Sequence, residues 1–162
     1  MSSKGGASLP EPELLKQQAA WLAPARSRLF RRAHIARRRR VLDLGAGTGA
    51  VVPELVRRSG GPVVALDRSV AALAYAAHAD AADAGRETAP EASYVGGDAR
   101  CLPFREGCFD LVFAQLAFLW IAPPDAALDE VVRVLAPRGA LVALEPDYGG
   151  MIEHPPEVAA QS

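Results

Sequence analysis

Two kinds of residue in this chain are spaced for chemistry. The first is a run of glycines, Gly45-Ala46-Gly47-Thr48-Gly49, directly after the apolar segment Val41-Leu42-Asp43-Leu44. Glycines let a backbone turn tightly and approach a ligand without a Cβ in the way. A helix starting just beyond would aim free N–H groups at a negative group. The second is a set of carboxylates, Asp43, Asp67 and Asp98, each at or near the end of a short apolar run. Asp67 stands eighteen residues after Gly49, where an acidic group can take two hydrogen bonds from a ribose diol. Asp98, in Gly97-Asp98-Ala99, can accept from an exocyclic amine. Gln115 closes a further apolar run, and its amide can bond either a carboxylate or an amine. Glu145-Pro146-Asp147 follows the last run. Together these groups suit a nucleoside carrying a polar tail.

Each has a plainer alternative. Asp67 could cap a helix beginning near Ser69, and Asp98 could shape a turn. Asp43 is a carboxylate inside an apolar strand and needs partners. It could bond loop N–H groups, hold the glycine loop, or face a ligand cation. The glycine string also satisfies the dinucleotide pattern G-x-G-x-x-G/A, although a dinucleotide strand would prefer an apolar residue at Asp43.

Strands alternating with helices must position these groups. Apolar runs at 41–44, 63–66, 93–95, 109–114 and 140–144 predict five strands. Helices are expected over 50–58, 69–84 and 125–136, the last with Leu128, Val131, Val132 and Leu135 on one face. This pattern implies βαβ units and a doubly wound parallel sheet, whose ligands bind at the carboxyl ends of the strands. Residues 1–12 read as a disordered start and 148–162 as an irregular tail. Residues 13–40 read as a helical basic arm, with helices over 13–21 and 25–36 parted by Pro24. Leu15, Leu22, Leu29 and Ala36 recur every seven residues as a stripe able to pack on the body. Residues 41–147 form the ligand-binding domain.

Composition excludes several classes. The 162 residues carry a net charge of −1 and are half apolar, which fits one folded domain rather than a disordered chain. The charge is uneven, +8 over residues 1–40 and −9 over the rest. The longest uncharged apolar run, 111–122, is too short to span a bilayer. The first residues, MSSKGGASLPEPE, lack an apolar signal core, so no secretory signal is expected. Cys101 and Cys108 alone make neither a disulfide framework nor a zinc site, and a reducing cytoplasm is expected. Arg37-Arg38-Arg39-Arg40 could contact phosphates, but no interleaved aromatics support base stacking. A solvated basic stretch is the favoured reading, and a nucleic-acid partner is not expected.

The run VLDLGAGTG (41–49) resembles the D-x-G-x-G-x-G motif of class I S-adenosylmethionine-dependent methyltransferases. Four more segments follow in that family's order: VVALDRS (63–69), GGDARCLPF (96–104), CFDLVFAQ (108–115) and VLAPRGALVALEPD (134–147). The GDAxxLPFxxxxFDLV pattern is similar to the small-molecule branch that includes quinone-biosynthesis enzymes. The resemblance covers roughly residues 36–150. It implies a Rossmann-like sheet of strand order 3-2-1-4-5 and S-adenosyl-L-methionine as cofactor. It also implies methyl transfer to a small-molecule acceptor. A cofactor-binding scaffold, or a fragment completed by a partner, is the alternative, and a nucleic-acid methyltransferase is a further one.

By resemblance, Gly45, Ala46, Gly47 and Gly49 line the methionine part, and Asp43 orders the loop. Asp67 holds the ribose, while Asp98 and Ala99 read adenine. Arg68 and Cys101-Leu102 flank the ring, and Gln115 faces the methyl-transfer pocket. No metal is implied and no general base is assigned; His154, Tyr148 and Asp147 are candidates by location only. Two departures stand out. Pro137-Arg138-Gly139 replaces the family's Pro-Gly-Gly, and Arg138 does not easily take positive φ, so a turn of different shape is expected. The antiparallel sixth and seventh strands are not expected, which would leave 140–144 as an open apolar edge. Such an edge invites a homodimer or a completing chain.

Overall fold

The computed structural model describes residues 11–83 and 92–147. The expectations for the amino-terminal start, Tyr148, His154 and the tail fall wholly or largely outside them. The elements in chain order are α1 (Pro12–Arg32), β1 (Val41–Leu44), α2 (Val52–Arg58), β2 (Val63–Asp67) and α3 (Val70–Asp83). They continue with β3 (Ala92–Gly96), β4 (Phe109–Gln115), α4 (Pro124–Val134) and β5 (Leu135–Leu144). The strands form one five-stranded sheet in the order β3-β2-β1-β4-β5, all neighbours parallel. This is the doubly wound order expected from the sequence. The central strands are apolar without alternation because both faces are covered. Leu42, Leu44, Val112 and Ala114 pack toward Ala127, Val131 and Val134 of α4. Val41, Val63, Leu111 and Phe113 pack toward Ala19 and Phe30 of α1 and Leu55 of α2.

Four local expectations are corrected. The two amino-terminal helices are one, α1, with Pro24 inside it. An internal proline costs roughly 3 kcal/mol through its missing N–H and ring clash. Burial of Phe30, whose ring meets Phe113 edge-on at 5.0 Å, opposes that cost. The buried face of α1 is also not the heptad stripe. It is Ala19, Arg26 and Phe30, while Leu15, Leu22 and Leu29 lie half-buried beside it and Ala36 is exposed. In α4 the inward face is Ala127, Val131 and Val134; Leu128 and Val132 are exposed. Both i, i+4 pairs fit a helix, and small Ala127 lets α4 approach the sheet.

The fourth correction concerns 137–139. Arg138 does take a left-handed conformation, with φ 65°. The segment is no separate turn but an irregularity within β5, where Phe109 pairs with Leu135 and Leu111 already with Ala140. Gly139 has no room for a Cβ, which would stand 2.8 Å from the Ala136 carbonyl oxygen. Arg138 therefore absorbs the turn, and its carbonyl accepts a hydrogen bond from Arg38 Nη1 at 3.3 Å. Beyond it, β5 lies at one edge of the sheet, with β4 as its neighbour.

Candidate functional site

A cleft of about 630 Å³ opens at the carboxyl ends of the strands. Asp43, Gly45, Ala46, Gly47, Asp67, Arg68, Asp98, Ala99 and Gln115 all line it. They come from the ends of four parallel strands, which is why residues 72 positions apart meet. Gly49 is one exception among the expected site residues. It is buried, and a Cβ on it would stand 2.7 Å from that of Ala76. Its role is close packing of the loop against α3, not lining. Cys101 and Leu102 also miss the cleft. Leu102 enters the core and donates its N–H to Glu130 Oε2 at 2.6 Å.

The loop and the β2 carboxylate are tied together. Gly45 and Ala46 donate N–H bonds to the Leu66 carbonyl at 2.8 and 3.0 Å. Gly47 donates its N–H to Asp67 Oδ2 at 2.8 Å. Gly47 has φ 54°, and the space where its Cβ would stand holds no atom within 4 Å. Asp67 Oδ1 accepts from Ser69 N–H at 2.8 Å, and Ser69 Oγ accepts from Ala72 N–H at the start of α3. Ser69 is thus the helix cap, and Asp67 braces both the loop and the cap.

Asp43 is 3 % exposed. Burial, together with the nearby charge of Asp67, pushes its pKa up to about 7, and Arg26 only partly offsets this. The loop N–H groups at 45–47 go to Leu66 and Asp67 instead. Asp43 therefore presents an acid near its midpoint at neutral pH to the cleft floor. Asp98 is the opposite case. The Arg100 guanidinium and backbone N–H bind it, with Nη2 2.6 Å from Oδ2, and hold its pKa down to about 2. Arg100 Nη1 also donates to the Ala122 carbonyl, linking the β3 end to the segment after β4.

Sequence reasoning missed Arg26, Glu54 and Arg100. Arg26 is 4 % exposed. Its Nε and Nη2 hold Glu54 Oε2 at 2.8 and 2.6 Å, while Nη1 reaches the Ala19 carbonyl and Gln115 Oε1. Glu54 Oε1 accepts from Arg58 Nη1 at 2.7 Å. Burial alone would raise the Glu54 pKa, but the two arginines outweigh it and the net shift is downward. The one available signal was spacing, since Ala19, Arg26 and Phe30 share a helix face. Glu145 Oε1 accepts the N–H groups of Ala117 and Phe118, fixing the segment that carries Leu116, Ala117 and Trp120 along the cleft.

The arginine run has a structural role at the other end of the sheet. Arg38 donates to the carbonyls of Ala33 and Asp110, and Arg39 to that of Gly60. The Arg39 and Arg40 N–H groups bond the Asp110 carboxylate. All of this precedes β1, whereas the cleft follows it. Among the described residues no helix is long and apolar enough to cross a membrane.

Comparison with known proteins agrees with this geometry. Residues 42–143 match the family described as a methyltransferase domain. The chain is 38 % identical over 106 residues to a demethylmenaquinone methyltransferase of Beutenbergia cavernae, covering 65 % of this chain and 40 % of that protein. It is 37 % identical over 101 residues to a malonyl-[acyl-carrier protein] O-methyltransferase of Pectobacterium atrosepticum, covering 62 % and 36 %. The chain thus spans about two fifths of the length of these relatives. The solved structure of a SAM-dependent methyltransferase from Aquifex aeolicus shares the fold, with a TM-score of 0.67, 21 % identity, and coverage of 80 % and 68 %. On the match of residues 42–143, this chain belongs to the methyltransferase domain family.

Proposed function

We propose that the cleft binds S-adenosylmethionine and that the chain serves methyl transfer to a small-molecule acceptor. The observation that carries this is the joining of Gly47 N–H to Asp67 Oδ2 in the lining of one cleft that Asp98 also lines. The donor set fits the group. The open space at Gly47 admits an amino-acid tail, Asp67 suits a ribose diol, and Asp98 with the Ala99 N–H suits an adenine edge. Arg68 stands beside them. When bound, the cofactor supplies an electrophilic sulfonium methyl. The chain's own work is to bind, orient and exclude water, and positioning of that kind can supply most of the rate. No side chain is assigned as general base.

Titration calorimetry with S-adenosylhomocysteine tests the reading, on the intact chain and on Asp67→Ala. Binding that the substitution weakens at least tenfold supports it; no binding by the intact chain removes it. We infer a cytoplasmic protein from its free cysteines. The outer edge of β5 is the surface where a second copy or a completing chain would pair. Light scattering checks this, and a monomer with a cooperative melt counts against it.

A further inference from the structure

The amide of Gln115 could in principle face the cleft with its oxygen or its nitrogen. Arg26 decides which. A guanidinium has five N–H donors and no acceptor, so the Gln115 atom 2.8 Å from Arg26 Nη1 is the oxygen. Arg26 itself cannot turn away. Glu54 holds its Nε and Nη2, the Ala19 carbonyl takes Nη1 at 2.9 Å, and the side chain is buried. Gln115 lines the cleft at the end of β4, and with its oxygen held by Arg26 the amide group left for a ligand is its NH2.

We propose that Arg26 is a positioning residue that fixes Gln115 as a hydrogen-bond donor, so that the methyl acceptor presents an anionic oxygen here rather than an amine. The inference rests on the methyl-transfer reading above. Its chemistry balances without a base. An anionic oxygen gives one lone pair to the Gln115 N–H and keeps another to form the new O–C bond. The S–C bond breaks and its electron pair stays on sulfur. An attacking amine must also lose a proton, and the Gln115 NH2 cannot accept one. A charge-assisted bond to an anionic oxygen is also roughly twice as strong as a neutral one.

The test uses the full chain loaded with S-adenosylhomocysteine and two probes of one shape and opposite charge, benzoate and benzylammonium, titrated by calorimetry. Benzoate is expected to bind at least tenfold more tightly. Gln115→Met is expected to lose about tenfold for benzoate and less than twofold for benzylammonium, and Gln115→Glu to reverse the preference. Arg26→Lys keeps the charge beside Glu54 but not the fixed fork. With its fold checked by thermal melting, it is expected to reduce the preference at least threefold. Equal binding of the probes, no binding of either, or a preference untouched by Gln115→Met overturns the inference. If Gln115→Met weakens S-adenosylhomocysteine as much as benzoate, the oxygen belongs to the donor's own tail and the acceptor assignment falls. An intact chain that binds no S-adenosylhomocysteine overturns the underlying reading instead.

Discussion

The carboxylate of Asp67 accepts the backbone N–H of Gly47 across 2.8 Å, joining the end of β2 to the loop that follows β1. The bond spans twenty residues of sequence and one strand spacing of the sheet. It exists because β1 and β2 run parallel in a register that sets Leu44, the last residue of β1, beside Leu66, the residue before Asp67. The strand register thus places loop and carboxylate together.

Gly47 and Gly49 share positive φ but differ in surroundings. Gly47→Ala is expected to cost about 1 kcal/mol from backbone strain alone. Gly49→Ala adds a clash with Ala76 and is expected to cost about 2–4 kcal/mol. Denaturant melts of both variants measure the difference, and equal losses would contradict the separate roles.

Asp43 gives a pH dependence of definite sign. Its pKa of about 7 in the folded chain exceeds its ordinary 3.8. Between those values the folded state binds the extra proton, so its contribution to stability falls as pH rises from about 4 to 7. Asp43→Asn is expected to flatten the stability profile over that window. Melting temperatures from pH 4 to pH 8 would show it, and a wild-type slope retained by the variant would contradict it.

Phe30 tests whether the amino-terminal helix belongs to the body. It is fully buried against Phe113, with the Arg58 guanidinium 5.2 Å from its ring centre. Phe30→Ala is expected to cost about 3–5 kcal/mol in urea unfolding. A loss below 1 kcal/mol would mean that α1 is a dispensable arm.

Arg138 holds φ 65° within β5. Glycine takes that conformation without the Cβ penalty, so Arg138→Gly is expected to stabilise the chain by about 1 kcal/mol. The gain is reduced by glycine's greater unfolded-state freedom. Its thermal midpoint should rise, and a fall would show that the Arg138 side chain contributes more than its backbone strain costs.

The five strands and the glycines and acids at their ends were legible as local patterns, whereas the strand order and cleft residues such as Ala46, Arg68 and Ala99 came from the resemblance of the motifs to a known family. What was not legible depends on partners distant in sequence. Pro24 reads as a break until Phe30 and Phe113 are seen to oppose it. Arg26 reads as one arginine among sixteen until Glu54 and Gln115 close around it. Gly49 looks like Gly47 in the string, and only the approach of Ala76 separates them. Arg38 and Arg39 read as a basic surface, yet they bond backbone carbonyls at the base of the sheet.

The central claim is that the loop at Gly47 and the carboxylate of Asp67 form one cofactor site. Calorimetric titration of S-adenosylhomocysteine into the intact chain and Asp67→Ala tests it most directly. The account predicts saturable one-to-one binding that weakens at least tenfold in the variant while its fold persists. Binding of equal strength in both, or none in the intact chain, would contradict it.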